Sequence, residues 1–152
     1  MRNELVRDWM TPDVITVTPD TPLVEADRLV VDHMIRRLPV VENGKLVGIC
    51  TYGDIREARP SPATSLSVWE LNYLLSQLTV REIMTSQPVT VAAAATISEA
   101  ARLMLNNQIS GLPVVDAQNH LVGIITESDI FRLVVQHWDS QPEESVPYAH
   151  YQ

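Results

Sequence analysis

The stretch LPVVENGKLVGICTYGDI, residues 38–55, returns seventy-four residues later as LPVVDAQNHLVGIITESDI, residues 112–130. In the first copy two short apolar runs, residues 38–41 and 46–50, flank Glu42-Asn43-Gly44-Lys45. Such runs around an Asn-Gly pair predict an antiparallel hairpin, because both turn residues tolerate the positive φ that a tight hairpin turn needs. Each second strand then runs into Thr-x-x-Asp, at Thr51-Tyr52-Gly53-Asp54 and at Thr126-Glu127-Ser128-Asp129, where a helix is predicted to start.

Outward from the hairpin the repetition continues. VRDWMT at residues 6–11 matches VREIMT at 80–85, Thr16-Val17 matches Thr90-Val91, and Arg28-Leu29 matches Arg102-Leu103. Over residues 6–43 and 45–55, 22 of 49 aligned positions are identical, with one extra residue in the second hairpin. That exceeds what shared composition produces, so the chain is a duplication, and the repeat sets the architecture. Each copy predicts the order βαββα. A β-branched run at 14–17 precedes a helix with Thr21 as N-cap and Pro22 as first helical residue. Its apolar face is Leu23, Ala26, Leu29, Val30 and Met34. In the second copy the predicted elements are 89–91, 97–107, 112–115, 121–125 and 126–137. The expected fold class is α/β (α+β), two tandem units packed pseudo-symmetrically into one module. The expected division is 1–58 and 80–137 for the units, 59–79 for a connector, and 138–152 for a polar, mobile tail with Pro142 and Pro147. The connector passes Pro60 and Pro62 before a helix over 67–78, with Trp69, Tyr73, Leu74 and Leu78 along one side. Such a face packs on its own domain, serves a homodimer, or does both.

Composition removes several function classes. The chain has 152 residues, a net charge of −8 and one cysteine. That acidity argues against nucleic acid, whose non-specific affinity comes from cations meeting phosphates. A lone Cys50 inside an apolar run excludes a disulfide framework and reads as a small buried hydrophobe. No apolar run reaches the roughly 18 residues of a membrane span, and the charged start lacks the apolar centre of a signal peptide, so a cytoplasmic location is expected. His33, His120, His137 and His150 lack metal-ligand spacing. There is no phosphate-binding glycine loop, nucleophile elbow or paired-acid arrangement, so neither catalysis nor a catalytic cofactor is expected.

The Thr-x-x-Asp stretches admit two readings of equal weight. In one, Thr hydroxyl and Asp carboxylate cap the helix, worth about 1 kcal/mol. In the other, the helix start receives a phosphate and the carboxylate, with two acceptor oxygens, receives a pair of ribose hydroxyls.

The sequence resembles a CBS-domain pair, the Bateman module named for cystathionine β-synthase, and within it the subgroup made of the pair and little else. The residues that carry the resemblance are Met10-Thr11 and Met84-Thr85, the runs 14–17 and 88–91, both Leu-Pro-Val-Val segments and both Gly-x-x-Thr-x-x-Asp stretches, covering about residues 6–135. The resemblance implies two clefts between the copies, each assembled from both. One would use Thr16, Arg36, Arg37 and Leu38 with Thr126 and Asp129; we term it the first cleft. The second would use Thr90, Ile109, Ser110, Gly111 and Leu112 with Thr51 and Asp54. It also implies a non-catalytic sensor in which AMP, ADP, ATP or a related adenosyl compound acts as effector, the module forming a homodimer that signals to a separate enzyme or transporter. The alternative is an interaction module whose clefts stay empty. By position, Arg36-Arg37 would favour phosphorylated ligands in the first cleft, or else form a solvated helix end. Glu127 would either repel a phosphate there or, the preferred reading, merely complement its helix dipole.

Overall fold

The computed structural model describes residues 3–60 and 65–141. In chain order its elements are α1 (Val6–Trp9), α2 (Leu23–Asp32), β1 (Arg37–Glu42), β2 (Lys45–Thr51), α3 (Tyr52–Ala58), α4 (Val68–Gln77), α5 (Val80–Ile83), β3 (Thr85–Ser86), β4 (Val91–Ala92), α6 (Ile97–Asn107), β5 (Gly111–Val115), β6 (Leu121–Thr126) and α7 (Glu127–Asp139). The predicted hairpin forms in each copy, β1 with β2 and β5 with β6. Asn43 and Gly44 take φ of 52° and 78°, as a two-residue turn between right-twisted strands requires.

Each sheet is completed by the other copy. β3, the opening of the second copy, pairs antiparallel with β2, and Thr11, in the opening of the first, bridges Ile124 of β6. The cores follow the same exchange. Val80, Ile83 and Met84 pack with Leu23, Leu38, Val40 and Ile55 of the first copy, whereas Val6, Trp9 and Met10 pack with Ile97, Leu112, Val114 and Ile125 of the second. Helix starts are shared too. Leu23 N–H donates to Leu78 O at 2.8 Å, and Ile97 N–H donates to Glu4 O at 2.8 Å. The two units are therefore interlocked rather than merely adjacent.

Several local expectations need correction. The strand expected at 14–17 shrinks to one parallel bridge, Val17 to Val40, because only Val17 reaches β1 while Val14 and Ile15 turn toward a cleft. Its equivalent, expected at 89–91, is Val91–Ala92. Thr21 does not cap α2. Its hydroxyl accepts from Thr18 N–H at 3.0 Å, and Pro22 holds the cap position in extended backbone. Met34 leaves the helical face altogether, with φ of 53° and 92% exposure beyond the end of α2. The inward residues of α4 and its C-cap are Leu71, Leu75 and Leu78, spaced four and three apart, whereas Trp69, Tyr73 and Leu74 are exposed. Trp138 and Asp139 belong to α7 rather than to the tail, and residues 142–152 lie outside the described residues, as does Pro62.

Cys50 sits in the first core with no exposure. Burial, with a smaller push from the Asp54 charge, raises its thiol from about 9 to about 12. The folded chain therefore keeps this proton after the unfolded chain has lost it. Between about pH 9 and 12 stability should fall by roughly 1.4 kcal/mol per pH unit on this account. Denaturant titrations at pH 7 to 10 test this. Cys50→Ala should flatten the alkaline slope, and an unchanged slope would show that the thiol titrates freely.

Candidate functional site

Two grooves lie between the copies, each lined by residues of both. The second cleft encloses about 690 Å³ and is lined by Arg36, Arg37, Thr51, Asp54, Ile109, Ser110 and Gly111 among others. The first encloses about 340 Å³ and is lined by Arg36, Arg37 and Thr126 with Thr11, Asp13, Val14 and Ile15. Of the residues expected in the second cleft, Thr90 and Leu112 do not line it. Pro88 and Val89 take the place of Thr90, and Leu112 is fully buried core. Of those expected in the first, Thr16, Leu38 and Asp129 do not line it. Thr16 faces a separate hollow with Thr18 and Thr21, Leu38 is fully buried, and Asp129 is 2% exposed.

The Thr-x-x-Asp stretches prove to be self-capping. Thr51 Oγ1 accepts from Asp54 N–H at 3.1 Å, and Asp54 Oδ2 accepts from Thr51 N–H at 2.9 Å. Tyr52 N–H donates to Arg36 O at 2.8 Å, so two of the first amides of this seven-residue helix, and that of its cap residue Thr51, are committed. In the second copy Asp129 Oδ2 accepts from Thr126 N–H at 2.8 Å, and Glu127 N–H donates to Ser110 O at 3.0 Å. The capping reading thus describes what these groups do, and a phosphate must look elsewhere for its donors.

The two aspartates differ in their second oxygen. Asp129 Oδ1 is held by Arg132 at 2.9 Å. The residue equivalent to Arg132 is Glu57, and Asp54 Oδ1 has no partner among the described residues. Asp54 therefore keeps an acceptor free on the wall of the second cleft, while its twin is buried and paired.

The cations also depart from expectation. Arg36 and Arg37 line both clefts, not the first alone. Arg37 crosses from the first copy to donate to Ser110 Oγ and lies against Gly111, where an added Cβ would stand 2.7 Å from its Nε. Burial and the neighbouring charge of Arg36 push the Arg37 guanidinium below its ordinary value, and Glu127 partly offsets them. Glu127 itself lines neither cleft and faces the groove between α6 and α7; the acid at the first cleft is Asp13. Sequence reading missed Arg56 and Tyr52, which also line the second cleft with the guanidinium 5.7 Å from the ring centroid. Their signal was available, since both lie within two residues of Asp54. Arg36, Arg37 and Arg56 form no ion pair among the described residues.

Among the described residues no group of three His, Cys, Asp or Glu side chains is placed to hold a metal ion, and no helix is long and apolar enough to cross a membrane.

The CBS domain model matches residues 6–61 and 80–136. The protein MJ1225 of Methanocaldococcus jannaschii is 34% identical over 137 residues, which is 86% of this chain; the chain spans about half, 47%, of that relative's length. Among solved structures, the CBS domain pair of protein MJ0100, in complex with 5′-methylthioadenosine and S-adenosyl-L-methionine, superposes with a TM-score of 0.72 at 34% identity, covering 88% of this chain and 97% of that one. CBSX2 in complex with AMP superposes with a TM-score of 0.74 at 31% identity, covering 89% and 98%; the CBSX2 protein is from Arabidopsis thaliana. An interlocked duplication whose two copies each match one domain model, on a backbone shared with solved pairs, places this chain in the CBS-domain family as a CBS pair.

Proposed function

We propose that the chain is a non-catalytic regulatory module that binds a phosphorylated adenosine compound in the second cleft and reports its occupancy to a separate protein. The observation that carries this reading is three arginines, none with a carboxylate partner among the described residues, converging on one groove of a chain whose net charge is −8. Unpaired cations in an acidic protein favour an anionic ligand, and guanidinium donors match phosphate oxygens. Asp54 Oδ1 supplies the acceptor for ribose hydroxyls, and Ile49, Val89 and Ile109 supply apolar surface for a base. Two similar pairs carry adenosyl ligands, 5′-methylthioadenosine with S-adenosyl-L-methionine in one and AMP in the other.

Calorimetry and thermal shift with AMP, ADP and ATP test the reading. At a hundredfold its dissociation constant one bound ligand stabilises by about 2.7 kcal/mol, a visible rise in melting temperature. Asp54→Ala should weaken binding about 10- to 100-fold by removing a charged acceptor. Asp129→Ala should leave affinity within about threefold, because its carboxylate is already engaged at both oxygens, while lowering stability by about 1 kcal/mol through the lost cap. Equal losses of affinity in the two variants would refute the choice of cleft. If no adenosyl ligand shifts the melting point, the alternative gains. In that alternative the Thr-x-x-Asp groups are caps only and the module serves interaction, a reading favoured by the closed capping pair at Thr51 and Asp54.

We further propose a homodimer through the α6–α7 face. Phe131, Val135 and Trp138 form an exposed stripe at helical spacing, with Leu105 beside it on α6. Phe131→Glu with Trp138→Glu is expected to halve the mass measured by light scattering without unfolding the chain. An unchanged mass would remove this face from consideration.

A further inference from the structure

The two clefts draw on one pair of cations. Arg36 and Arg37 line both, and Arg37 already spans the copies through Ser110 Oγ. A guanidinium presents its donors in a fixed planar fork, so it cannot direct the same donors at phosphates in two clefts at once. A phosphate bound in one cleft neutralises the pair and places an anion beside the other, which then offers a ligand less positive charge and more repulsion.

We infer that the two clefts compete for the Arg36–Arg37 pair, so that each chain holds one phosphorylated ligand at a time. The inference rests on the reading that the clefts bind adenosine compounds, and adds that their occupancies are coupled with negative sign. The second cleft wins because it adds Arg56, each cleft carrying one carboxylate besides, Asp54 in the second and Asp13 in the first. An uncharged adenosyl ligand escapes the competition, since it makes no claim on the arginines.

Asp13 would also weaken the first cleft, and the Arg132 ion pair occupies the buried Asp129 behind it, so the test removes both handicaps. Calorimetry compares ADP with 5′-methylthioadenosine on the unsubstituted chain and on Asp13→Asn/Arg132→Ala. The double variant should bind one ADP per chain, with any second event at least about tenfold weaker, within the range of coupling between linked sites. The same variant should bind two 5′-methylthioadenosine per chain with affinities within about threefold. Two ADP sites of equal affinity, in either protein, would overturn the competition. So would a single 5′-methylthioadenosine in the variant, because the first cleft would then be closed for reasons unrelated to charge. Absence of heat with every adenosyl ligand in the unsubstituted chain is a different failure, that of the ligand reading itself, and this inference would fall with it.

Discussion

Gly48→Val is expected to lower the melting temperature by roughly 5 to 12 °C. A Cβ at position 48 would stand 2.7 Å from Met84 Sδ and 3.0 Å from Thr85 O. The sulfur belongs to a flexible side chain and can move, but the carbonyl belongs to β3, whose Thr85 and Ser86 pair with Ile49 and Gly48. The strand that the second copy lends to the first must therefore shift. Overpacking of this kind costs about 1 to 3 kcal/mol, and the branched γ carbons of valine put the cost at the upper end. Each kcal/mol moves a domain of this size by about 2 to 4 °C. Gly123 is the mirror case, with Met10 Sδ at 2.5 Å and Thr11 O at 3.0 Å, so Gly123→Val should cost a similar amount. Gly53→Ala is the control. Its Cβ would meet only Thr51 Oγ1 at 3.6 Å, and alanine suits a helix better than glycine, so stability should hold or rise. Thermal unfolding by circular dichroism decides, and a Gly48→Val midpoint within 2 °C of the parent would show that the lent strand contributes little.

The same lent strands mark the boundary of what the sequence made legible. Hairpin, the longer helices and duplication were readable because each depends on neighbours in the chain: the Asn43-Gly44 turn, the apolar spacing of Leu23, Ala26 and Val30, and the identity of two aligned segments; the four-residue α1 and α5 are too short to show such spacing and were not expected. What could not be read was which copy each opening segment packs on. VRDWMT opens the first unit in sequence, yet Val6 and Met10 serve the second core. Nothing local distinguishes packing on one's own copy from packing on its homologous twin, since both present a similar apolar surface. Met34 failed for a different reason. Its spacing fits the α2 face, but the helix ends at Asp32, and spacing alone cannot see a chain reversal in left-handed backbone.

In the site, the residues carried by motif were easier to name than to rank. The sequence pointed to Thr51, Asp54, Thr126 and Asp129 as equivalents. Their inequality comes from a neighbour three residues on, Arg132 in one copy and Glu57 in the other, whose effect needs the carboxylate's surroundings. The arginines were assigned to one cleft because position in a repeat says which copy a residue belongs to, not how far a long side chain reaches. Arg37 leaves its own copy to reach Ser110, and the charge asymmetry between the clefts thereby passes to Arg56.

That placement gives the second large expectation. Arg36→Ala/Arg37→Ala should weaken ADP binding about 10²- to 10⁴-fold while changing 5′-methylthioadenosine affinity less than about fivefold. Each charge-assisted hydrogen bond contributes about 1.5 to 3 kcal/mol, so two lost together amount to about 3 to 6 kcal/mol, and every 1.4 kcal/mol is tenfold. The uncharged ligand serves as the internal control, because it shares the ribose and base contacts and lacks only the anion. A purely structural role for Arg37, bracing Ser110 across the copies, would instead weaken both ligands alike. Gly111→Ala separates charge from placement. Its Cβ would stand 2.7 Å from Arg37 Nε and 3.0 Å from Cζ, forcing the guanidinium aside while keeping its charge. If the arginine acts by directed hydrogen bonds, this variant should lose about tenfold or more for ADP, since a misplaced donor forfeits most of the bond. If it acts only through the general positive field of the cleft, affinity should hold at low salt and fall with ionic strength as the field is screened. Calorimetry on the parent and both variants at two salt concentrations distinguishes these outcomes, and equal losses for ADP and 5′-methylthioadenosine in the double variant would remove the arginines from phosphate recognition.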